Sequence, residues 1–271
     1  MTADFEHDLN PEQLATVRAP DGPLLVLAAA GTGKTRTLVY RLAHLVAQGV
    51  ETRHILLLTF TNKAAREMIE RARDIVGPEV SGLWSGTFHH LANRMLRRHA
   101  NLLDFSLDFT ILDRDDAVSL MRTCLKELKL TDRQFPRAEV LIALLSGAVN
   151  RRRELAEAID AYFEDHSINA ADVLRVLQLY GKKKRSLNAM DFDDLLVNGF
   201  ELFQQQREVL AKYQEQFRYI MVDEYQDTNL IQADLVDLLA AKHRNLMVVG
   251  DDFQSIYSWR GADYRNILTF P

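Results

Sequence analysis

Leu24-Leu25-Val26-Leu27-Ala28-Ala29-Ala30-Gly31-Thr32-Gly33-Lys34-Thr35 decides how this chain is read. A short apolar run passes into a Gly-rich turn and then into Lys-Thr at the start of a helical pattern. That order describes a buried strand feeding a phosphate loop. Backbone N–H groups of the turn, here Ala30, Gly31, Thr32 and Gly33, point inward at an anion, and the positive end of the next helix dipole adds to the attraction. Lys34 can reach the β- and γ-phosphates of a triphosphate, and the Thr35 hydroxyl can hold Mg²⁺. The consensus loop opens with Gly where this chain has Ala28, so the motif taken alone also fits an ordinary strand–turn–helix corner.

Three further apolar runs resemble the first: Ile55–Leu58, Tyr219–Val222 and Leu246–Val249. Each is short, apolar throughout and followed by polar residues, with helical patterns between. This is the pattern of an α/β domain whose parallel sheet is covered on both faces. Ligands of such sheets bind beyond the carboxyl ends of the strands, which is where all four candidate motifs fall. From about Ser106 to Leu187 the patterns are helical. Asp115-Asp116 reads as the cap of a helix carrying Val118, Met121, Leu125 and Leu128, and Ala138–Val149 and Ala170–Tyr180 read as further helices. The expected organisation is a discontinuous α/β domain, 1–105 plus 188–271, interrupted by an all-helical subdomain, 106–187.

The chain has 271 residues and a formal net charge of −5, so any nucleic-acid contact must use local basic patches rather than the overall field. One cysteine, Cys124, excludes a disulfide within the chain and fits a reducing interior. With Leu120 and Leu128 on its helical face, it reads as a core residue. The first residues lack the basic start and apolar centre of a signal peptide. No apolar run approaches the ~20 residues of a membrane helix. A cytoplasmic protein without a membrane partner is expected.

Asp223-Glu224 follows the run Tyr219–Val222. Asp223 can hold Mg²⁺, directly or through water, and Glu224 can accept a proton from an attacking water. The plain alternative is a solvated strand end or a helix-capping pair. Gln254, in Gly250-Asp251-Asp252-Phe253-Gln254, carries an amide that both donates and accepts, which suits sensing a γ-phosphate or orienting water. Phe60, Tyr257 and Trp259 gather after the same strand ends. Rings placed there can stack single-stranded bases, worth ~1–3 kcal/mol each, although core packing is the usual fate of a ring. Polar neighbours, Thr59, Thr61, Asn62 and Lys63 around Phe60 and Ser258 and Arg260 beside Trp259, can contact phosphates and sugars. The basic clusters Arg94/Arg97/Arg98, Arg151–Arg153 and Lys182–Arg185 fit a solvated helix face as well as a phosphate-contacting patch. The last follows Gly181, taken as a helix end, where positive charge also complements the dipole. His89 and His90 have no Cys or His at ligand spacing, so no structural metal is expected.

Together these segments resemble the UvrD/Rep family of superfamily 1 DNA helicases. The resemblance is carried by Leu9-Asn10-Pro11-Glu12-Gln13, Ala28 through Arg36, Thr59 through Ala65, Gly86-Thr87-Phe88-His89, Met190 through Leu196, Val222 through Thr228, and Gly250 through Ala262, in that order. In this family the loop often opens with Ala. The resemblance implies a RecA-like P-loop domain with an inserted helical subdomain, binding ATP and Mg²⁺ and acting on single-stranded or partly duplex DNA. It implies that Gln13 reads the adenine edge and Arg36 packs on the ring. Lys34, Thr35 and Asp223 would hold phosphates and Mg²⁺, with Glu224 as general base. Gln254 would couple the γ-phosphate to the DNA-contacting segment, and Phe60, Asn62, His89, Phe192, Tyr257, Trp259 and Arg260 would contact DNA.

Family members continue into a second RecA-like domain that supplies arginines to the γ-phosphate. This chain stops at Pro271, which fits a truncated form or a short homologue, the abrupt end after Phe270 favouring the first. Alone it is expected to hydrolyse ATP slowly or not at all, since such arginines contribute ~10³–10⁵ in rate. Two other readings compete with a motor half: a DNA-binding module gated by ATP without productive turnover, and an unrelated P-loop enzyme such as a small-molecule kinase. Thr59–Lys63 and Tyr257–Arg260 count against the kinase, which has no use for stacking rings beside its phosphates.

Overall fold

A computed structural model describes residues 4–29, 31–163, 168–251, 265–268 and 270. The chain divides into two compact units, 1–91 with 203–271, and 92–202.

The first unit is built on a five-stranded parallel sheet. Its strands are β1 (Leu24–Leu27), β2 (Ile55–Thr59), β3 (Trp84–Thr87), β6 (Tyr219–Val222) and β7 (Leu246–Gly250), in the order β1-β7-β6-β2-β3. Two further strands among the described residues, β4 (Thr110–Ile111) and β5 (Ala189–Met190), belong to the second unit. The central strands are apolar without alternation because helices cover both faces. Ile55, Leu57, Met221, Met247 and Val249 pack on one side against the Lys34–Ala47 and Asn62–Val76 helices. The second of these buries Ala65, Met68, Ala72 and Val76 at helical spacing. Alternate residues Leu56, Leu58, Ile220, Val222 and Val248 are equally buried and, by the period of two, face the other side. Each such aliphatic side chain contributes roughly 1.5–3 kcal/mol on full burial.

The order matters for the site. β7 lies between β1 and β6, with Leu27 opposite Gly250 and Val222 opposite Val248. The carboxyl ends of β1, β7 and β6 therefore adjoin. The sequence pattern identified four of the five strands. It passed over β3, an edge strand that among the described residues pairs only with β2 and whose Trp84, Ser85, Gly86 and Thr87 alternate buried and half-buried.

The second unit is mainly helical. Helices Arg114–Glu127, Ala138–Asn150, Leu155–Phe163 and Ala170–Ser186 enclose a core that includes Met121, Cys124, Leu141, Ile159, Val176 and Tyr180. Two short parallel strands, β4 (Thr110–Ile111) and β5 (Ala189–Met190), join its ends. The first helix is capped by Asp113, whose carboxylate accepts from the Asp116 N–H at 2.9 Å; Asp115 and Asp116 instead occupy its first turn. The last helix runs through Gly181 to Ser186, so that glycine is not a helix end.

Candidate nucleotide site

The turn after β1 needs its glycines at two points. Gly31 and Gly33 have φ of 78° and 91°, in the left-handed region that L side chains avoid. Gly33 is the N-cap of the Lys34–Ala47 helix, so the first N–H groups of that helix face outward from a residue with no capping side chain. Lys34, the first helical residue, is 9% exposed. Thr35 follows, half-buried, and Arg36 is exposed. The Thr32 hydroxyl donates to the Ala29 carbonyl at 2.6 Å and closes the turn. Ala30 lies outside the described residues.

β6 brings the acids to the same edge. Asp223 is buried, and its N–H continues the ladder to the Leu58 carbonyl at 2.9 Å. Glu224 has φ of 53°, a strained conformation for a residue with a Cβ. That turn aims its carboxylate back at the phosphate loop: Lys34 Nζ donates to Glu224 Oε2 at 2.9 Å. Gln226 Nε2 donates to the same oxygen at 2.8 Å. A short helical turn, Tyr225–Asp227, follows. It is fastened by the Thr228 hydroxyl on the Tyr225 carbonyl at 2.6 Å and by Asn266 Nδ2 on the Thr228 carbonyl at 3.0 Å.

The electrostatics of this edge are those of a site short of positive charge. Burial pushes the Asp223 carboxyl up to about 7, and neighbouring Glu224 adds to the rise while Lys34 opposes it. Burial and Glu224 likewise raise Asp227 to about 6. Asp223 Oδ1 and Asp227 Oδ1 are buried without a hydrogen-bond partner among the described residues. A buried carboxylate oxygen lacking a donor is costly and suits a hard cation such as Mg²⁺, which takes oxygen ligands. The residues present therefore fit a magnesium–phosphate group.

Gln13 reaches the loop from the Pro11–Val17 helix. Its Oε1 accepts from the Asn10 N–H at 3.2 Å in a capping box, and its Nε2 donates to the Thr32 carbonyl at 2.9 Å. Buried Arg41, on the loop's own helix, donates to the carbonyls of Val17 and Ala19 at 2.7 and 2.6 Å and anchors the far end of the Gln13 helix. Arg36 extends over the Tyr40 ring, 5.4 Å from its centroid, with Asp8 at 3.9 Å.

The other predicted residues divide by place. Phe60 is half-buried after β2. Thr61 caps the next helix by accepting from the Ala64 N–H at 3.1 Å, and Asn62 is exposed in its first turn. His89 is half-buried after β3, the strand beside β2, whose Thr87 is in register with Thr59. Phe192 belongs to the second unit, where it opens the Phe192–Gln205 helix and is 50% exposed. Gln254, Tyr257, Trp259 and Arg260 lie outside the described residues.

The basic cluster Lys182–Arg185 is largely taken up by the fold. Lys184 is buried and pairs with Asp191 and Asp194 at 2.6 and 2.5 Å. Lys183 pairs with Glu127 at 2.7 Å, and Arg185 lies over the Phe105 ring at 4.0 Å. Arg97 is similarly engaged, stacked on Phe109 and donating to its carbonyl at 2.6 Å. Arg151, Arg152 and Arg153 are exposed, with Arg152 over Phe200.

The family model for the UvrD/REP helicase N-terminal domain matches residues 9–271. This chain belongs to the UvrD/Rep helicase family. It is 44% identical over 273 residues to the ATP-dependent DNA helicase PcrA of Staphylococcus aureus strain Mu50, covering 100% of this chain and 36% of that protein. The PcrA of Staphylococcus epidermidis strain RP62A is also 44% identical, over 266 residues, with 97% of this chain and 36% of the relative covered. The chain thus spans about a third of the length of these helicases. Its α/β core, with a parallel sheet of five strands, is that of a RecA-like helicase domain. No helix among the described residues is long and apolar enough to cross a membrane.

Sequence reasoning assigned no role to Gln226 or Asp227 in this UvrD/Rep domain. The available signals were their place in the Val222–Thr228 segment that carries the resemblance and their spacing, two and three residues beyond Glu224.

Proposed function

We propose that this chain is the ATP-binding half of a motor that moves along single-stranded DNA and separates duplex strands. The observation that carries the reading is the meeting of Lys34 and Glu224 at 2.9 Å, beside the buried Asp223. It joins the phosphate loop of one strand to the acidic pair of another, at the sheet edge where α/β domains take ligands. That the PcrA relatives are ATP-dependent DNA helicases supports the reading.

In this reading Ala30, Gly31, Thr32 and Gly33 cradle the phosphates with backbone N–H groups, and Lys34 leaves Glu224 for the β- and γ-oxygens. Thr35 and Asp223 hold Mg²⁺, which supplies charge neutralisation of the phosphates when bound. Glu224, released from Lys34, accepts the proton of the attacking water. Gln13 and Arg36 take the adenine. Gln254 links the γ-phosphate to the segment bearing Tyr257, Trp259 and Arg260, which with Phe60, Thr61, Asn62, His89 and Phe192 contacts the DNA. A second RecA-like domain supplies the remaining transition-state charge, so this chain alone turns over ATP weakly.

ATPase rates with and without oligo-dT, on this chain and on a longer protein carrying it, test the proposal. The expected result is strong DNA stimulation in the longer protein and little in this chain. A longer protein that binds ATP and oligo-dT but shows no stimulated hydrolysis favours an ATP-gated DNA-binding module.

A further inference from the structure

Gln226 occupies a place that the roles above leave unused. It is 2% exposed, between the end of β6 and the end of β7. Its Oε1 accepts from the backbone N–H of Asp251 at 3.1 Å, and its Nε2 donates to Glu224 Oε2 at 2.8 Å. The amide orientation is fixed by chemistry: a backbone N–H requires the oxygen, so the NH₂ faces the carboxylate. Gly250 closes the remaining space, since a Cβ there would lie 2.9 Å from Gln226 Oε1 and 2.9 Å from Ile267 Cδ1. Gly250 also accepts from the Ala28 N–H at 3.0 Å, so the same strand end touches the start of the phosphate loop.

We propose that Gln226 is a positioning residue: it holds the Glu224 carboxylate in place and ties it to the backbone at Asp251. This rests on the reading of Glu224 as general base. Among the described residues Glu224 Oε2 has two donors, Lys34 and Gln226. Lys34 is the one a triphosphate takes away. Gln226 then remains to stop the carboxylate swinging out of line, and a misplacement of about 1 Å can cost ~10²-fold in rate. Because its other end is on Asp251, any shift of the β7 end at Asp251 is passed to the base. The Gln226 amide is thus the link between the two strand ends.

The test compares Gln226→Leu, which loses both bonds, with Gln226→Met, whose thioether leaves a weak acceptor for the Asp251 N–H and offers no donor to Glu224. Both are made in this chain and in a longer protein carrying it. Three quantities are read: affinity for a fluorescent ATP analogue, hydrolysis at saturating ATP with and without oligo-dT, and hydrogen exchange at the Asp251 amide. Expected are hydrolysis lowered ~10–100-fold in both variants, affinity within about threefold of the parent, and Asp251 exchange faster in the Leu variant than in the Met variant. A merely structural residue would instead lower affinity and melting temperature together with rate, and that outcome overturns the proposal. So does parental hydrolysis in either folded variant; if Gln226→Leu does not fold, Gln226→Met decides. Glu224→Gln serves as the control. If it hydrolyses ATP normally, the general-base reading fails, while the exchange rate at Asp251 still reports whether Gln226 makes its bonds.

Discussion

Lys34 Nζ and Glu224 Oε2 stand 2.9 Å apart, so the cation suited to phosphate is held by the carboxylate suited to activating water. Each is the other's ionic partner. Lys34 is the more enclosed partner, with 8% of its side chain exposed against 37% for Glu224.

A first prediction follows from that competition. Glu224→Gln removes the charge that holds Lys34, and ATP no longer has to displace it. An ion pair of this partial exposure is worth up to ~1 kcal/mol, which corresponds to roughly fivefold tighter ATP binding. Hydrolysis should fall by ~10²–10⁴ through loss of the base. Lys34→Ala should instead remove nucleotide binding. Titration with a fluorescent ATP analogue and single-turnover hydrolysis check both; weaker binding by Glu224→Gln would contradict the competition.

Asp223 sets a second. Its carboxyl is raised from the usual range to about 7 by burial first and Glu224 second. The native state therefore binds more protons than the unfolded chain between about pH 4 and 7. Its contribution makes the metal-free protein lose stability as pH rises through that window, then levels off. Asp223→Asn abolishes the effect, so the variant should melt higher than the parent at pH 8 and nearly level with it at pH 4. Thermal melts in EDTA measure this. A variant less stable than the parent at pH 8 would rule it out.

The triad in the second unit gives a third. Burial lowers the Lys184 ammonium, but Asp194 and Asp191 outweigh it and the net shift is upward. Asp194 is raised to about 6 by burial and by Asp191, against the pull of Lys184. Lys184→Met leaves two enclosed carboxylates facing each other, a loss of ~3–5 kcal/mol at pH 8. Without Lys184 to lower it, Asp194 takes up a proton more readily still as pH falls, so the loss should shrink by pH 5. Urea denaturation of the chain at the two pH values compares them. An equal loss at both would mean the triad is not an ionic contact.

These residues also mark what sequence reading can reach. β2 and β7 were legible because both faces of each are covered and every residue before the terminal Thr59 and Gly250 is apolar. β3 was not, because an edge strand of Trp, Ser, Gly and Thr has only half a reason to be apolar. Lys184 looked like any member of a Lys-rich run, since its partners Asp191 and Asp194 lie beyond the helix end and only the fold brings them back. The Lys34–Glu224 meeting was foreseeable from motif chemistry. The Gln226 bridge was not, because nothing local distinguishes a glutamine that spans two strand ends from one that faces water.

Gly33 carries the last prediction. Its φ of 91° is unfavourable for any L side chain, and a Cβ would lie 2.6 Å from Gln13 Nε2. Gly33→Ala therefore meets two penalties, ~1–2 kcal/mol of backbone strain and expulsion of the Gln13 amide from the Thr32 carbonyl. The first tilts the opening N–H groups of the Lys34 helix away from the phosphates. The second frees the segment that the resemblance assigns to adenine. ATP affinity should drop more than tenfold, a loss of over ~1.4 kcal/mol, and affinity for inorganic triphosphate should drop less, because only the first penalty reaches a ligand without a base. Gln13→Ala should show the converse, sparing triphosphate and weakening ATP. Competition titrations with the two ligands on both variants separate the effects, and equal losses for both ligands in both variants would show that Gln13 and the loop do not act on different parts of the nucleotide.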